Sequence, residues 1–485
     1  MSETWAKNAT DARHATSAGG GRHPKRTAPA GVDLHLELSS TRVRLGLESA
    51  LREAIRTGRL GPGTRLPSSR ALAADLGLAR NTVAEVYTQL VAEGWLIART
   101  GSGTSVAERR AVDPGPGAAT RREVHVPRYD LRPGVPDLSA FPRRAWLATA
   151  RRVLAGAPDH LLGYPDPRGL PQLRAVLAGY LARARGVAAD PARIVICAGF
   201  THGLAVICRA LASAGAGTLA VEAYGLQAHR DIAGAQGLRL RPLPVDGRGA
   251  VLGGTAGADA VLLTPAHQFP LGVTLHPQRR REAAQWGGVV IEDDYDGEFR
   301  YDRQPVGALQ ALAPDRVVYA GTASKSLAPS LRLGWLVVPA SLMEAVMAQL
   351  AAAPSPPSGL DQLTLAEFIR SGGYDRQVRR ARLAYRRRRD RLAAALRGQG
   401  LHVTGIAAGL HAVLELSGTD TERRLVAAAA GHGLALQGLE SYRAAGQTTA
   451  GPGQAGLVIG YGRPPEHAYT TALARLCAVL NTDGR

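Results

Sequence analysis

The segment that decides the fold is Val317-Val318-Tyr319-Ala320-Gly321-Thr322-Ala323-Ser324-Lys325-Ser326-Leu327, an apolar run followed by a turn of small residues around a lysine. The chain has 59 lysine and arginine residues, yet Lys325 is the only lysine beyond residue 25. Arginine serves ion pairs and phosphate contacts at least as well, so this lysine indicates a task that needs an amine able to lose its proton. Forming a Schiff base with a carbonyl group is such a task. The alternative is a surface lysine left by chance in an arginine-rich composition.

Length, charge and cysteine content limit the class of protein. With 485 residues the chain exceeds what one hydrophobic core usually supports, so two or more domains are expected. The net charge of +19 favours an anionic partner such as nucleic acid. Cys197, Cys208 and Cys477 are too few and too far apart for a disulfide framework or a zinc cluster. No apolar stretch approaches the ~20 residues that span a bilayer, and no signal sequence is recognisable. A soluble, cytoplasmic protein without a metal centre is therefore expected.

The first structured region carries three helical patterns and a hairpin. Apolar residues recur at helical spacing from Arg42 to Thr57. Pro67-Ser68-Ser69 offers an N-cap to a short helix that Gly77 closes, and a third helix runs from Arg80 to about Glu93. Two short apolar pieces around Arg99-Thr100-Gly101 predict a hairpin. The pattern predicts a helix-turn-helix followed by a wing.

This order of elements suits DNA. Arg80, Asn81 and Thr82 in the first turn of the third helix can reach base edges in the major groove. The alternative is a plain three-helix module with solvated arginines. Residues 67–70, 76–83 and 101–104 closely resemble the winged helix of the GntR regulators. Arg65, Ser68, Ser69 and Arg70 can hold backbone phosphates through charge and through the amides of a helix N-terminus. The resemblance implies double-stranded DNA as partner. The candidate DNA-binding residues are Arg65, Ser68, Ser69, Arg70, Arg80, Asn81, Thr82, Arg99, Gly101 and Gly103.

Composition predicts where the domains divide. Residues 1–32 are expected to be a disordered tail, and residues 33–107 the winged helix. Residues 108–127 are rich in Pro, Gly, Ala and Arg without a sustained period, which favours a flexible linker. Residues 128–485 then form the second and much larger domain.

In the large domain, helical patterns such as Leu170 to Arg185 alternate with short apolar runs. This alternation predicts an α/β sheet covered on both faces, with a smaller C-terminal α/β lobe. The predicted strands are Ile194 to Cys197, Thr218 to Glu222, Ala260 to Thr264, Val289 to Glu292, Val317 to Ala320 and Gly334 to Val338, with Ala412 to Leu416 and Leu457 to Tyr461 in the lobe.

Several of these runs end in chemically useful residues. Glu292-Asp293-Asp294-Tyr295 ends one strand, and Thr264 to Gly272 follows an earlier one. Ile196 to Gly203 places a strand end against a helix start, which can bind a phosphate. Open α/β sheets bind ligands at such ends, and strand parity leaves open whether Asp293 or Asp294 faces the ligand.

Residues 264–272, 292–299 and 321–333, in that order, resemble the type I aminotransferase fold, which carries pyridoxal 5′-phosphate (PLP). A GntR winged helix in front of that fold is the arrangement of the MocR subfamily, and the chain is identified as a member. The resemblance implies that Lys325 forms the internal aldimine and that Asp293 pairs with the pyridinium nitrogen. It also implies that Tyr295 donates to the ring oxygen.

Further roles follow from the same resemblance. It implies phosphate contacts from Gly199, Phe200, Thr201, Thr322 and Arg332. Tyr224 would stack on the ring, while His267 and Gln268 would border the ring oxygen. Tyr164 matches a tyrosine that reaches the phosphate of a neighbouring subunit, which makes a homodimer part of the site.

The next question is whether the domain is a sensor or an enzyme. A transaminase usually grips its substrate carboxylate with an arginine near the C-terminus. In the related fold that arginine would stand where this chain has Val458, although Arg443 or Arg463 could supply the charge instead. Residues 438–439 and 460–467 resemble the PdxR type of the subfamily. We therefore expect a non-enzymatic regulator of vitamin B6 synthesis with PLP as effector; the alternatives are a PLP-dependent aminotransferase or a regulator sensing an amino acid such as γ-aminobutyrate.

An arginine run between Arg379 and Arg391 is broken by Leu383 and Tyr385 at helical spacing. It predicts a solvated helix face, and the alternative is a patch that contacts DNA.

Overall fold

A computed structural model describes residues 43–99, 101, 103–108, 127–301, 306–353, 356–445 and 455–482. The chain divides into two compact units, residues 1–124 and 125–485. The predicted tail, residues 1–32, and nearly all of the predicted linker, residues 108–127, lie outside the described residues. Their boundaries stay predictions.

The first unit has the predicted helix-turn-helix and wing. Ser68 caps the second helix by accepting a hydrogen bond from the amide of Ala71, and Gly77 ends that helix with a φ of 68°. The hairpin strands are antiparallel, with Leu96 opposite Val106. The elements are α1 (Val43–Arg56), α2 (Ser69–Leu76), α3 (Arg80–Ala92), β1 (Leu96–Arg99) and β2 (Gly103–Val106).

One small core holds these elements together. Leu47 and Leu51 of α1 pack with Val86 and Leu90 of α3, and Leu96 of the wing joins them. Burying such side chains stabilises by roughly 1.5–3 kcal/mol each, so the wing is fixed to the helices by its apolar end. The other side of α3 stays exposed at its first turn.

The second unit is an α/β domain with an added lobe. Its strands are β3 (Tyr129–Asp130), β4 (Ile194–Cys197), β5 (Thr218–Glu222), β6 (Arg239–Leu243), β7 (Val245–Asp246), β8 (Gly249–Ala250), β9 (Ala260–Leu263), β10 (Val289–Asp293), β11 (Val317–Thr322), β12 (Gly334–Val337), β13 (Val403–Thr404), β14 (His411–Leu416), β15 (Leu434–Ala435), β16 (Gln437–Gly438) and β17 (Ala455–Gly460). Its helices are α4 (Arg143–Gly156), α5 (Pro171–Arg185), α6 (Phe200–Ser213), α7 (Gln227–Ala235), α8 (Pro277–Gln285), α9 (Ala340–Ala352), α10 (Gly359–Arg370), α11 (Gly373–Arg397), α12 (Thr419–Gly431) and α13 (Glu466–Thr482).

Seven strands form the main sheet in the order β4-β12-β11-β10-β9-β5-β6. Neighbours are parallel except β12, which is antiparallel to β11 and β4. All six strands predicted for this sheet are present, each within one or two residues of its predicted bounds. The prediction missed the edge strand β6, because Arg239 and Arg241 interrupt its apolar pattern.

Helices cover both faces of this sheet, as predicted. Alternate residues of one strand point to opposite sides, so Val318 packs with α6 and α9 whereas Tyr319 packs with α5 and α10. The central strands are therefore apolar along their length and become polar only at their ends. Among the described residues, no helix is long and apolar enough to cross a membrane.

The smaller lobe is an antiparallel sheet, β13-β14-β17-β16, packed on α11, α12 and α13. Most of the arginine run on α11 is exposed, as predicted. Arg388 corrects that prediction, because it is buried and pairs with Asp137 at 2.7 Å. It also donates to the carbonyl oxygens of Gly462 and Pro464. One arginine of the run thus ties residue 137 to the lobe, because a buried guanidinium needs such partners.

Candidate ligand-binding site

The carboxyl ends of the central strands open into a cavity of about 390 Å³ in the second unit. Nine of the twelve residues predicted for the cofactor line it, namely Gly199, Phe200, Thr201, Tyr224, Asp293, Tyr295, Thr322, Lys325 and Arg332. Residues from separate strand ends therefore meet at one place, as expected for an open α/β sheet.

Lys325 lies three residues beyond β11, in the turn of small residues. Its Nζ donates to the carbonyl oxygen of Gly134 at 2.6 Å. Burial lowers the pKa of this amine, and the carboxylates of Asp293 and Asp296 act against that shift. The amine thus lies half-buried in a cavity and is closer to losing its proton than a surface lysine, which is what attack on a carbonyl requires.

Asp293 and Asp294 have different surroundings. Asp294 accepts from Arg185 at 2.6 and 2.9 Å and from the hydroxyl of Tyr319 at 2.8 Å. Asp293 lines the cavity, and its buried Oδ1 has no hydrogen-bonding partner among the described residues. Burial raises the pKa of Asp293 well above the usual value, whereas the charge of Lys325 acts to lower it. The carboxylate left for a ligand is therefore that of Asp293.

A second region of the cavity has the groups that bind an anion. Gly199 precedes α6 with a φ of 80°, and a Cβ there would stand 3.4 Å from the guanidinium of Arg332. Arg332 also lies 3.4 Å from Oγ1 of Thr201, in the first turn of α6. A helix N-terminus, a hydroxyl and a guanidinium around a glycine are typical of phosphate binding.

His267 and Gln268 do not line the cavity, although the sequence predicted them at the ring oxygen. His267 is buried behind Tyr295, with Nδ1 at 3.1 Å from the tyrosine hydroxyl. Gln268 donates to Glu222 at 3.2 Å and to the carbonyl oxygen of Tyr224 at 2.9 Å. In this structure both residues lie behind the cavity lining, where they form hydrogen bonds with residues that do reach the cavity.

Tyr164 is fully exposed and does not line the cavity of its own chain. Its predicted role concerns a second subunit, so it stays a prediction.

The sequence analysis missed several polar lining residues. Glu222 ends β5, so the rule that ligands lie at strand ends could have found it. Its buried carboxyl accepts from Thr264 and Gln268, and desolvation raises its pKa to about 7. Two further missed polar residues, Thr264 and Ser324, stand within segments that the sequence had already singled out. The remaining ones are brought to the cavity by long-range packing and carry no sequence signal, namely His229, Arg230, His411, Gln437 and Tyr442.

No arginine occupies the predicted position of a carboxylate anchor. Val458 is 0% exposed and packs with Phe269 and Tyr442, which line the cavity. Arg443 pairs with Glu440 at 3.4 Å, and Arg463 pairs with Asp130 at 3.0 Å. Neither arginine lines the cavity, so neither replaces the missing charge in this structure.

The first unit presents a separate polar face. Of the predicted DNA-binding residues Ser69 and Thr82 are half-buried, and the exposed ones are Arg65, Ser68, Arg70, Arg80, Asn81, Arg99, Gly101 and Gly103. Arg65 crosses the wing, with Nε 3.4 Å from the position of a Cβ on Gly103. Helix α2, the first turn of α3 and the wing all contribute to this face.

Two families account for most of the chain. Residues 44–106 match the bacterial regulatory proteins of the gntR family, and residues 132–447 match aminotransferase class I and II. The pyridoxine biosynthesis transcriptional regulator PdxR of Corynebacterium glutamicum is 32% identical, over 90% of this chain and 95% of its own. The probable rhizopine catabolism regulatory protein MocR of Rhizobium meliloti is 33% identical, over 86% of this chain and 89% of its own.

The chain belongs to the MocR subfamily of GntR-type transcriptional regulators. Another relative of this MocR-type chain, the uncharacterised HTH-type transcriptional regulator YhdI of Bacillus subtilis, is 33% identical over 80% of the chain and 86% of its own. An archaeal alanine:glyoxylate aminotransferase has the same fold in its crystal structure, with a TM-score of 0.65 and 23% identity over 73% of this chain and 91% of that one.

Proposed function

We propose that this MocR-type regulator takes up PLP on Lys325 and changes its DNA binding in response. The observation that carries the proposal is the buried Oδ1 of Asp293, which has no hydrogen-bonding partner in the described part of the chain and lies in the cavity that Lys325 also lines. A buried carboxylate without a partner is costly, so the site is complete only with a ligand that brings a donor. The protonated ring nitrogen of PLP is such a donor.

The lining residues fit the rest of the cofactor. Arg332, the first amides of α6 and the hydroxyl of Thr201 would hold the phosphate. Tyr224 would cover the ring and Tyr295 would face its oxygen, while His267 keeps that tyrosine in place. When bound, PLP supplies an electron sink conjugated to an imine, and Asp293 keeps its ring nitrogen protonated.

The proposed effector is PLP itself, and the proposed target is vitamin B6 synthesis. Val458 stands where a carboxylate anchor would be, behind Phe269 and Tyr442 of the cavity lining, which disfavours amino acids as substrates or effectors. A relative that aligns with 90% of the chain is named as a regulator of pyridoxine biosynthesis. We therefore place this chain among sensors rather than aminotransferases.

A homodimer belongs to the proposal. Helix α4 buries only Thr149, and it leaves Leu147 and Leu154 more than half exposed. Leu162 and Tyr164, which follow in the chain, are also exposed. A row of exposed apolar side chains ending in a tyrosine suits a subunit interface in which Tyr164 reaches the partner's phosphate.

Reductive labelling tests the cofactor site. The full chain is incubated with PLP, reduced with borohydride and digested, and the label is located by mass spectrometry. We expect the label on Lys325, and we expect Lys325→Ala to remove both the label and the effect of PLP on DNA affinity. Recovery of the label elsewhere, or equal DNA binding with and without PLP, contradicts the proposal.

Two arginine variants test the DNA face. Arg80→Ala should weaken binding to the specific site by ~1–3 kcal/mol because it removes a base contact. Arg65→Ala should weaken binding to all sequences and flatten its salt dependence because it removes a phosphate contact. Both variants should take up PLP normally, since both residues lie in the first unit. Unchanged DNA affinity in both would exclude this face.

A further inference from the structure

The cavity has an end that the proposed cofactor does not use. The residues assigned to PLP come from the ends of the main-sheet strands and the start of α6. The lining that the smaller lobe contributes, here called the distal wall, is formed by Leu410, His411, Gln437 and Tyr442. None of these four side chains is a permanent cation, so a ligand reaching past the cofactor meets neutral groups.

Arg230 also lines the cavity, but its guanidinium is engaged. Its NH2 donates to the carbonyl oxygens of Ala223 at 3.2 Å and Tyr442 at 2.8 Å. Its NH1 donates to the side chain of Gln227 at 3.2 Å. These hydrogen bonds fix Arg230 against the cavity lining. They also leave its guanidinium without a free pair of N–H groups for bidentate binding of a carboxylate.

Among the described residues, one ring nitrogen of His411 has a hydrogen-bonding partner and the other has none. It is the first residue of β14 and is 3% exposed. Its Nε2 lies 3.0 Å from the carbonyl oxygen of Pro270. A carbonyl oxygen can only accept, so Nε2 carries the proton, and a neutral ring then has a lone pair on Nδ1. Nδ1 has no partner among the described residues, while the ring lines the cavity.

The surroundings keep this ring neutral. The ring centroids of His411 and His267 are 5.0 Å apart, and Phe269 packs edge-on at 5.1 Å. Burial lowers the pKa of His411 to about 3, with His267 and Lys325 adding to the shift and Asp296 opposing it. An imidazolium that could take the place of a missing arginine is therefore disfavoured.

We propose that His411 is the specificity-determining residue of the distal wall, where its Nδ1 accepts a hydrogen bond from a hydroxyl on an amine-bearing ligand and disfavours a carboxylate. A carboxylate has only acceptors, so against Nδ1 it would be left desolvated without a donor. A hydroxyl has a proton to give. The ligand class is therefore small amino alcohols or similar neutral amines rather than amino acids. This inference rests on the proposed uptake of PLP by Lys325.

Binding of such a ligand is an exchange without redox chemistry. The ligand amine would add to the carbonyl-derived carbon of PLP that is bonded to Nζ of Lys325, and one carbon–nitrogen bond would form. The bond to Nζ would then break; with the imine nitrogen protonated before and after the exchange, one proton passes from the ligand nitrogen to Nζ. Lys325 is released as a free amine, and no oxidant or further reactant is needed.

The test compares ethanolamine with glycine, two amines of similar basicity that differ in carrying a hydroxyl or a carboxylate. The PLP-loaded full chain is titrated with each and trapped with borohydride, and the fraction of Lys325 that escapes labelling is measured. We expect ethanolamine to release Lys325 at a concentration about two- to tenfold lower than glycine, as one hydrogen bond predicts. In His411→Phe, which keeps the ring packing, that ratio should fall to about one.

Matched variants separate the possible explanations. His432→Phe makes the same change at an exposed histidine outside the cavity and should leave the ratio as in the wild type. His411→Gln retains an N–H for Pro270, so it keeps the test valid if His411→Phe does not fold. The role of His411 is overturned if the wild type shows no preference for ethanolamine over glycine, or the reverse preference. It is also overturned if Tyr442→Phe loses this preference while both His411 variants keep it. Absence of any label on Lys325 without added amine instead contradicts the proposed function itself.

Discussion

The two ends of the cavity differ in what they offer a ligand. The cofactor end combines the half-buried amine of Lys325, the carboxyl group of Asp293, whose Oδ1 has no hydrogen-bonding partner among the described residues, and the anion-binding guanidinium of Arg332. The distal end has a neutral histidine and, behind the aromatic lining, Val458. Under the proposed function the first end would hold and activate PLP, whereas among the described residues the second end offers no arginine at the position from which a transaminase grips an amino acid. The difference supports the proposal that the domain senses the cofactor rather than processing an amino acid.

The largest expected effect separates two adjacent aspartates. Asp294→Asn leaves the buried guanidinium of Arg185 without its counter-charge and should lower the free energy of unfolding by ~3–5 kcal/mol. Asp293→Asn breaks no such pair, so it should change stability far less. It should instead weaken PLP binding by ~1.5–3 kcal/mol, because the ring nitrogen loses a charged partner. Denaturant unfolding and PLP titration measure the two effects, and an exchange of their outcomes would assign the cofactor to Asp294.

These aspartates also show where sequence reasoning ends. The apolar run of β10 and its polar end were predictable, because buried strands carry their chemistry where they leave the core. The side on which each aspartate lies depends on how the strand turns beyond its last paired residue. Here Asp294 forms an ion pair with Arg185, which lies more than a hundred residues earlier in the chain. Only the folded structure brings that arginine to the strand end.

The distal wall was less predictable than the cofactor end. Val458 was placed by its distance from a glycine in a strand, and the structure buries it behind the cavity. His411 and Tyr442 reach the cavity because the smaller lobe packs against the main sheet, and neither stands in a pattern typical of ligand binding. Local spacing predicts single strand ends well, whereas a wall assembled from another lobe depends on contacts between distant segments.

The pH dependence of stability tests whether water reaches the cofactor end of the cavity. The raised pKa of Glu222 means that its protonated form stabilises the fold; this contribution is fully present below about pH 4.5 and is lost as pH rises through about 7. The shift corresponds to on the order of 3 kcal/mol. Glu222→Gln cannot ionise, so the stability of the wild type relative to this variant should fall between pH 5 and pH 8.

Comparing the two proteins at each pH cancels the buried groups that do not interact with Glu222. His229 has a pKa lowered to about 4 by burial, and it titrates identically in both. Free energies of unfolding from denaturant titrations at pH 5, 6.5 and 8 give the difference directly. A constant difference across this range would mean that water reaches Glu222 and that the cofactor end is wetter than its burial indicates.

Val458→Arg tests the other end by supplying the missing charge. A guanidinium facing the cavity should strengthen the binding of glycine by ~1.5–3 kcal/mol. Glycine should then release Lys325 from PLP at a concentration about 10–150-fold lower than in the wild type. Release by ethanolamine should change much less. Since Val458 is fully buried, Val458→Leu serves as control for packing, and PLP uptake reports whether the variant folds. If glycine gains nothing in a variant that binds PLP, the distal end is not where a carboxylate would lie.

The smallest expected effect comes from one hydroxyl at the cofactor end. Thr201 lies in the first turn of α6, with Oγ1 at 3.4 Å from Arg332, and Thr201→Val keeps its shape while removing the hydroxyl. The loss of one hydrogen bond to the phosphate should weaken PLP binding by ~0.5–1.5 kcal/mol, or about 2–12-fold. Gln437→Met makes a comparable loss of polarity at the distal end and should leave PLP affinity unchanged, because the proposed PLP site does not include that wall. Equal losses of PLP affinity in the two variants would mean that the cofactor spans the whole cavity, and the distal wall would then be part of the cofactor site rather than a separate filter for amines.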